Sequence, residues 1–232
     1  MDHDGARSNT RETLYAALYF AVYLVYLFFH QESEFEHYLG LVLVPLAGLW
    51  WVAGRPGLRR FLASIGLRRS RWRSGLGTAL AVGLAVQVLP LMGAPNRARL
   101  ADALAIPGGW ILPIVALPFL LVTVAFTEEV FFRGILQTRF SDTLGSGWAG
   151  IAVTTVAFAA YHVPYAYLNP YWPSAGDLSH AIRLSVLNAG IGGVLLGWVF
   201  MRWRRNLLAP MLVHAMIDWI PGTILLSEIK FG

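Results

Sequence analysis

The chain contains no cysteine. Disulfides, thiolate metal sites and cysteine nucleophiles are thereby excluded, and the redox compartment is left undetermined. Charge is scarce as well: 13% of the 232 residues are Asp, Glu, Lys or Arg, against about 25% in an ordinary soluble domain. There is no His-Glu-x-x-His sequence, whose spacing fixes a zinc site on one helix. No inverted repeat relates the two halves, which counts against a solute or ion transporter built on one. What is abundant is apolar, 56% hydrophobic residues arranged in long runs. That composition reads as an all-α protein, a polytopic transmembrane helical bundle of about seven spans with no second soluble domain. The +5 balance is almost wholly arginine. Its clustering reports topology and not nucleic acid.

Residues 1–12 read as a short cytoplasmic tail and Thr13 to Phe29 as the first span, with no small-residue site behind it to mark a cleaved signal peptide. The loop from His30 to His37 carries Glu32, Glu34 and Glu36, whereas residues 55–73 carry seven arginines. By the positive-inside rule the first loop faces out and the second faces in. The basic stretch reads as a surface segment lying on anionic lipid. A second span, Tyr38 to Ala53, is interrupted by Pro45, and a third, Ser74 to Met92, is rich in small residues that allow close helix contact. Gly93 to Gly109 reads as an outer loop. A long helix follows from Trp110 to Phe140, with Pro113 and Pro118 as its expected kinks. After a turn at Ser141 to Gly147, the fifth span runs from Trp148 to His162 and is expected to stop at Pro164. Tyr165 to His180, with Tyr167, Tyr171 and Trp172, suits the outer interface. The sixth span, Leu184 to Met201, ends in Arg202-Trp203-Arg204-Arg205, and the last runs from Asn206 to Leu226. The N-terminus is expected inside and the C-terminus outside.

The stretch that organises this pattern is Thr127-Glu128-Glu129-Val130-Phe131-Phe132-Arg133, since no charged residue lies between Ala103 and Thr127. A charge at the bilayer centre costs roughly 2.5 to 3.5 kcal/mol on insertion scales, so three of them need partners and suggest a task. Glu129 and Arg133 are four apart on one helix face, with the acid on the favourable N-terminal side. Their pairing reads equally as a structural lock between helices. Glu128 points about 100° away and is left as the carboxylate without a local partner. Two further spans carry ionisable groups. His162 follows Phe158 by four residues, and alone it reads as a core or interfacial histidine. His214 and Asp218, again four apart, suit a carboxylate that orients an imidazole, a pair of metal ligands, or a helix–helix hydrogen bond. The first three spans place no such group at depth. His3, His30, His37 and His180 fall in tails, loops or ends and are assigned no role.

Glu128-Glu129-x-x-x-Arg133, Phe158-x-x-x-His162 and His214-x-x-x-Asp218, in this order and each on its own span, resemble the three motifs of the CAAX protease and bacteriocin-processing family, also called the type II CAAX prenyl endopeptidase or abortive infection family. The resemblance covers about residues 110–222. Residues 1–109, read above as a tail and three spans, match only in general character, and the resemblance implies a catalytic core of about four spans over 110–232. It further implies a helical intramembrane peptidase acting in the lipid bilayer on a membrane protein or lipidated peptide. Glu128 and His162 would activate a water, His214 and Asp218 would stabilise the oxyanion, and Glu129 and Arg133 would be the family's Glu-Arg partners. Many members carry asparagine where this chain has Asp218. Asparagine can donate to an oxyanion, but an ionised aspartate only accepts, so orienting His214 or binding a cation suits Asp218 better. Zinc is the candidate cofactor, since the family is often labelled a metalloprotease; a metal-free glutamate mechanism is the preferred reading. The non-enzymatic alternative is a membrane protein conferring bacteriocin immunity or regulating a membrane partner.

Overall fold

The computed structural model describes residues 3–30, 33–68, 72–170 and 172–231. Glu32, Arg69, Arg71 and Tyr171, used in the topology and interface readings above, lie outside the described residues, as do the side chains of Arg7, Glu34 and Arg73. Among the described residues the chain is all helix. Five helices are long and apolar enough to cross a membrane, or up to seven if each of two bent pairs is one span. This agrees with a multi-pass bundle of about seven spans.

The helices are α1 (His3–Phe29), α2 (Phe35–Val52), α3 (Leu58–Ser64), α4 (Trp72–Val86), α5 (Val88–Met92), α6 (Ala94–Ala105), α7 (Ile111–Thr143), α8 (Gly147–Leu168), α9 (Leu178–Arg202), α10 (Leu208–Ile217) and α11 (Trp219–Phe231). They form two compact units. One comprises Met1–Arg68 and Thr127–Leu207, the other Arg69–Phe126 and Leu208–Gly232.

Several expected boundaries move, each for a local reason. The N-terminal tail is helical from His3, and Glu12 pairs with the buried Arg139 at 2.7 Å, which ties this turn to the end of α7. The outer loop is largely the helix α6, bent by 103° from the preceding segment Leu76–Met92. Pro95 sits in its first turn, where a missing N–H costs nothing. Pro164 does not end α8, which runs on to Leu168 with Pro164 buried inside it. Helices tolerate an internal proline where neighbours cover the freed backbone group. The sixth span begins early, at Leu178, because the Asp177 side chain caps it by accepting from the His180 N–H at 2.9 Å. The last span is bent by 51° between Leu208–Ile217 and Trp219–Glu228, with Asp218 at the break. Pro221 lacks the N–H that would bond the Ile217 carbonyl, and this accounts for the bend. In α7 the irregularity takes the form of two wide π-turns, Leu121–Ala125 and Val130–Gln137. Its 33 residues measure about 50 Å at 1.5 Å per residue, more than the ~30 Å hydrocarbon core.

The first unit is centred on aromatic rings. Phe131, Phe132, Phe158 and Tyr161 are all buried; Phe132 meets Phe158 edge-on with centroids 4.9 Å apart and Tyr161 at 5.2 Å. Such pairs contribute about 0.5–1.5 kcal/mol beyond the area they bury. Beside them, α7 is stitched to α9 through two glycine carbonyls: Arg133 donates to Gly193 O at 3.4 Å and Gln137 to Gly197 O at 3.0 Å. Small residues four apart bring a neighbouring helix close enough for such bonds. Gly134 serves a neighbouring face of α7, where a Cβ would come within 2.8 Å of the Ile65 carbonyl. The second unit is held by Ala116, Leu120, Ala125 and Ala215, with Trp219 packed against them. The Trp219 indole N–H donates to the Pro113 carbonyl at 2.7 Å.

Candidate active site

Glu128 and Glu129 close a regular stretch of α7, Phe126–Glu129, and the π-turn Val130–Gln137 opens directly behind them. Single wide turns of this kind occur frequently at functional sites. The expected Glu129–Arg133 pair is present, Oε1 to Nη1 at 3.0 Å, with neither side chain more than 1% exposed. The Arg133 guanidinium also lies over the Phe158 ring, 4.5 Å from its centroid. Glu128 is nearly as buried, at 5% exposure. It is not isolated as its position on an ideal helix suggests: its charge and that of Glu129 both act on Arg133.

On α8, His162 is half-buried, its Nδ1 2.8 Å from the Phe158 carbonyl one turn earlier. A carbonyl only accepts, so Nδ1 carries the proton, and a neutral ring then keeps its lone pair on Nε2. The Phe158 ring meets the imidazole edge-on at 4.6 Å. The expected partnership of Phe158 and His162 is thus both a ring contact and a backbone hydrogen bond. With Arg133 on the Phe158 ring, a continuous stack connects Glu129 to His162 inside the first unit.

A second connection involves a residue given no role above. His37, near the start of α2, places Nε2 2.9 Å from Thr127 Oγ1 and Nδ1 3.4 Å from the Tyr161 hydroxyl. Tyr161 in turn donates to the Tyr165 hydroxyl at 3.2 Å. This corrects the expectation that the first three spans contribute no ionisable group at depth. The sequence holds one signal for it: His37 is the last polar residue before the apolar run of the second span.

His214 and Asp218 belong to the second unit. His214 is buried, and its Nε2 faces Asp218 Oδ2 at 3.4 Å, with the carboxylate side chain 35% exposed. The four-residue spacing does bring them together, with Asp218 at the bend of the last span. Among the described residues no three His, Asp or Glu side chains gather where they could hold a metal ion. No step below runs through a metal.

Residues 110–220 match the family model described as Rce1-like, type II CAAX prenyl endopeptidase Rce1-like. The protein named "Uncharacterized protein YpbD" of Bacillus subtilis (strain 168) is 32% identical over 100 residues, 43% of this chain. The chain spans 40% of the length of that curated relative. No solved structure matches it.

Proposed function

We propose that this multi-pass membrane protein, whose residues 110–220 match the Rce1-like type II CAAX prenyl endopeptidase model, is an intramembrane endopeptidase that hydrolyses a peptide bond in a membrane-associated protein or lipidated peptide. The observation that carries the reading is the Glu129–Arg133 pair, 3.0 Å apart and fully buried. It neutralises one carboxylate and holds the helix turn from which the adjacent one, Glu128, is presented.

In the proposed reaction Glu128 takes a proton from a water while His162 Nε2 orients that water by accepting its other hydrogen. The water oxygen attacks the peptide carbonyl carbon, forming the C–O bond and placing the negative charge on the carbonyl oxygen. Collapse breaks the C–N bond, and the proton held by Glu128 passes to the leaving amine. The third motif assigns His214 to the oxyanion: as an imidazolium it donates Nδ1–H there and Nε2–H to the ionised Asp218, which orients the ring. Arginine clustering assigns the N-terminus to the cytoplasm and the C-terminus to the outside; a reporter fused after Gly232 that proved cytoplasmic would refute that assignment.

The test of function is cleavage of quenched C-terminal peptides, prenylated and plain, by detergent-purified wild type and Glu128→Ala. Cleavage by wild type alone is expected. Equal cleavage by both would remove Glu128 from the mechanism. Silence from both, with each folded, would favour the immunity or regulatory alternative.

A further inference from the structure

Three motifs account for Glu128, Glu129, Arg133, His162, His214 and Asp218, and they leave His37 outside. We propose that His37 is a positioning residue of the peptidase site, a bridge that sets the spacing between the Glu128-bearing turn of α7 and the His162-bearing turn of α8. The inference rests on the peptidase reading and adds to it a residue from a different part of the chain.

The bridge is specific in where it lands. Its two contacts, Thr127 at 2.9 Å and Tyr161 at 3.4 Å, are the residues immediately before Glu128 and His162. Consecutive residues on a helix point about 100° apart. A tie at 127 and 161 therefore fixes the rotation of each helix about its axis and leaves the neighbouring motif side chains to face a substrate.

One arrangement satisfies both His37 contacts. Tyr161 spends its proton on Tyr165, so its oxygen accepts from His37 Nδ1–H. The neutral His37 ring then accepts the Thr127 hydroxyl proton at Nε2. Tyr161 is 1% exposed, so its contact with His37 is made out of reach of bulk water.

Both ends of the bridge need fixing. His37 precedes the π-turn Leu39–Leu43 of α2, and Thr127 precedes the π-turn Val130–Gln137 of α7. The i→i−4 ladder that normally sets a helix's register is interrupted at each, so a side-chain tie has rotation to restrain. The turn that presents His37 is itself held from the other side. Ser33 and Glu36 form a capping box, and Glu36 also reaches His30 at 3.0 Å and the Tyr26 hydroxyl at 3.4 Å on α1 and just beyond it.

The test uses the full-length protein in detergent with His37→Ala, His37→Gln and Tyr161→Phe. A misplacement of about 1 Å can cost 10²-fold in rate, so His37→Ala is expected to lower kcat by about 10- to 100-fold with KM changed less than about threefold. His37→Gln, which keeps a group able to accept from Thr127, is expected to recover most of the loss, and Tyr161→Phe to fall between. A second readout is independent of turnover: nitrogen NMR of histidine-labelled protein should show His37 as the Nδ1–H tautomer, a signal that shifts in Tyr161→Phe. Wild-type kcat in His37→Ala, or the opposite tautomer, overturns the bridge while the peptidase reading stands. Wild type silent on every peptide, with the tautomer signal present, overturns the peptidase reading and the catalytic consequence of the bridge with it.

Discussion

Glu129 and Arg133 lie 3.0 Å apart with neither side chain more than 1% exposed, so neither charge has water to fall back on. Removing one partner strands the other, a loss of about 3–5 kcal/mol for buried pairs. Glu129→Ala or Arg133→Ala should each lower the unfolding midpoint in detergent substantially. The double replacement Glu129→Leu with Arg133→Met should be much nearer wild type in stability, because it leaves no buried charge. Comparing the three melts separates a structural pair from one that also sets activity: the double variant is expected to fold and to cleave poorly.

Glu128 calls for the opposite outcome. Glu128→Gln keeps shape and hydrogen-bonding capacity but cannot take a proton from water. A general base contributes typically 10²- to 10⁴-fold, so kcat should fall by that order while the melting temperature stays within a few degrees of wild type. A fall in stability comparable to that of Arg133→Ala would make Glu128 a structural partner of the arginine instead.

Gly134 tests how closely α7 is applied to the 58–68 segment. A Cβ there would meet the Ile65 carbonyl at 2.8 Å and the Leu207 side chain at 3.3 Å. Backbone cannot yield as a flexible side chain does, and overpacking of this kind costs about 1–3 kcal/mol. Gly134→Ala should destabilise despite alanine's better helix propensity, as read by thermal or denaturant unfolding.

Asp177, just ahead of the sixth span, carries a pH prediction. Its carboxyl is held below the ordinary value first by the His180 backbone N–H and then by the Ser179 hydroxyl. A folded-state pKa that is depressed gives stabilisation above the unfolded value, near 3.9, that is lost as pH falls through the folded value. The stability gap between wild type and Asp177→Ala should be constant from about pH 5 upward and shrink below about pH 4. Asp177→Asn, which caps without titrating, should show no such change.

The spans were legible because membrane burial writes long apolar runs, against which isolated charges stand out. The i,i+4 spacings predicted Glu129–Arg133 and His214–Asp218, since both are local. His37 was not legible: its partners Thr127 and Tyr161 are 90 and 124 positions away, and no periodicity encodes a contact of that range. Proline misled at Pro164, because bundle neighbours cover what a solvated helix would lose. Pro221 went unread, although it bends the last span at Asp218. The π-turns leave no trace in an apolar pattern read at 3.6 residues per turn, and one of them shapes the ground behind Glu128 and Glu129.

Arg133 bonds Gly193 and Gln137 bonds Gly197, each pair 60 residues apart. Equal offsets mean that α7 and α9 ascend in the same direction. Two parallel helices must be separated by an odd number of membrane crossings, and α8 is the one element between them long enough to make it. Within the first unit, the stretches of α7 and α9 that carry Arg133 and Gly193 consequently run the same way. That parity follows from two hydrogen bonds and owes nothing to counting arginines.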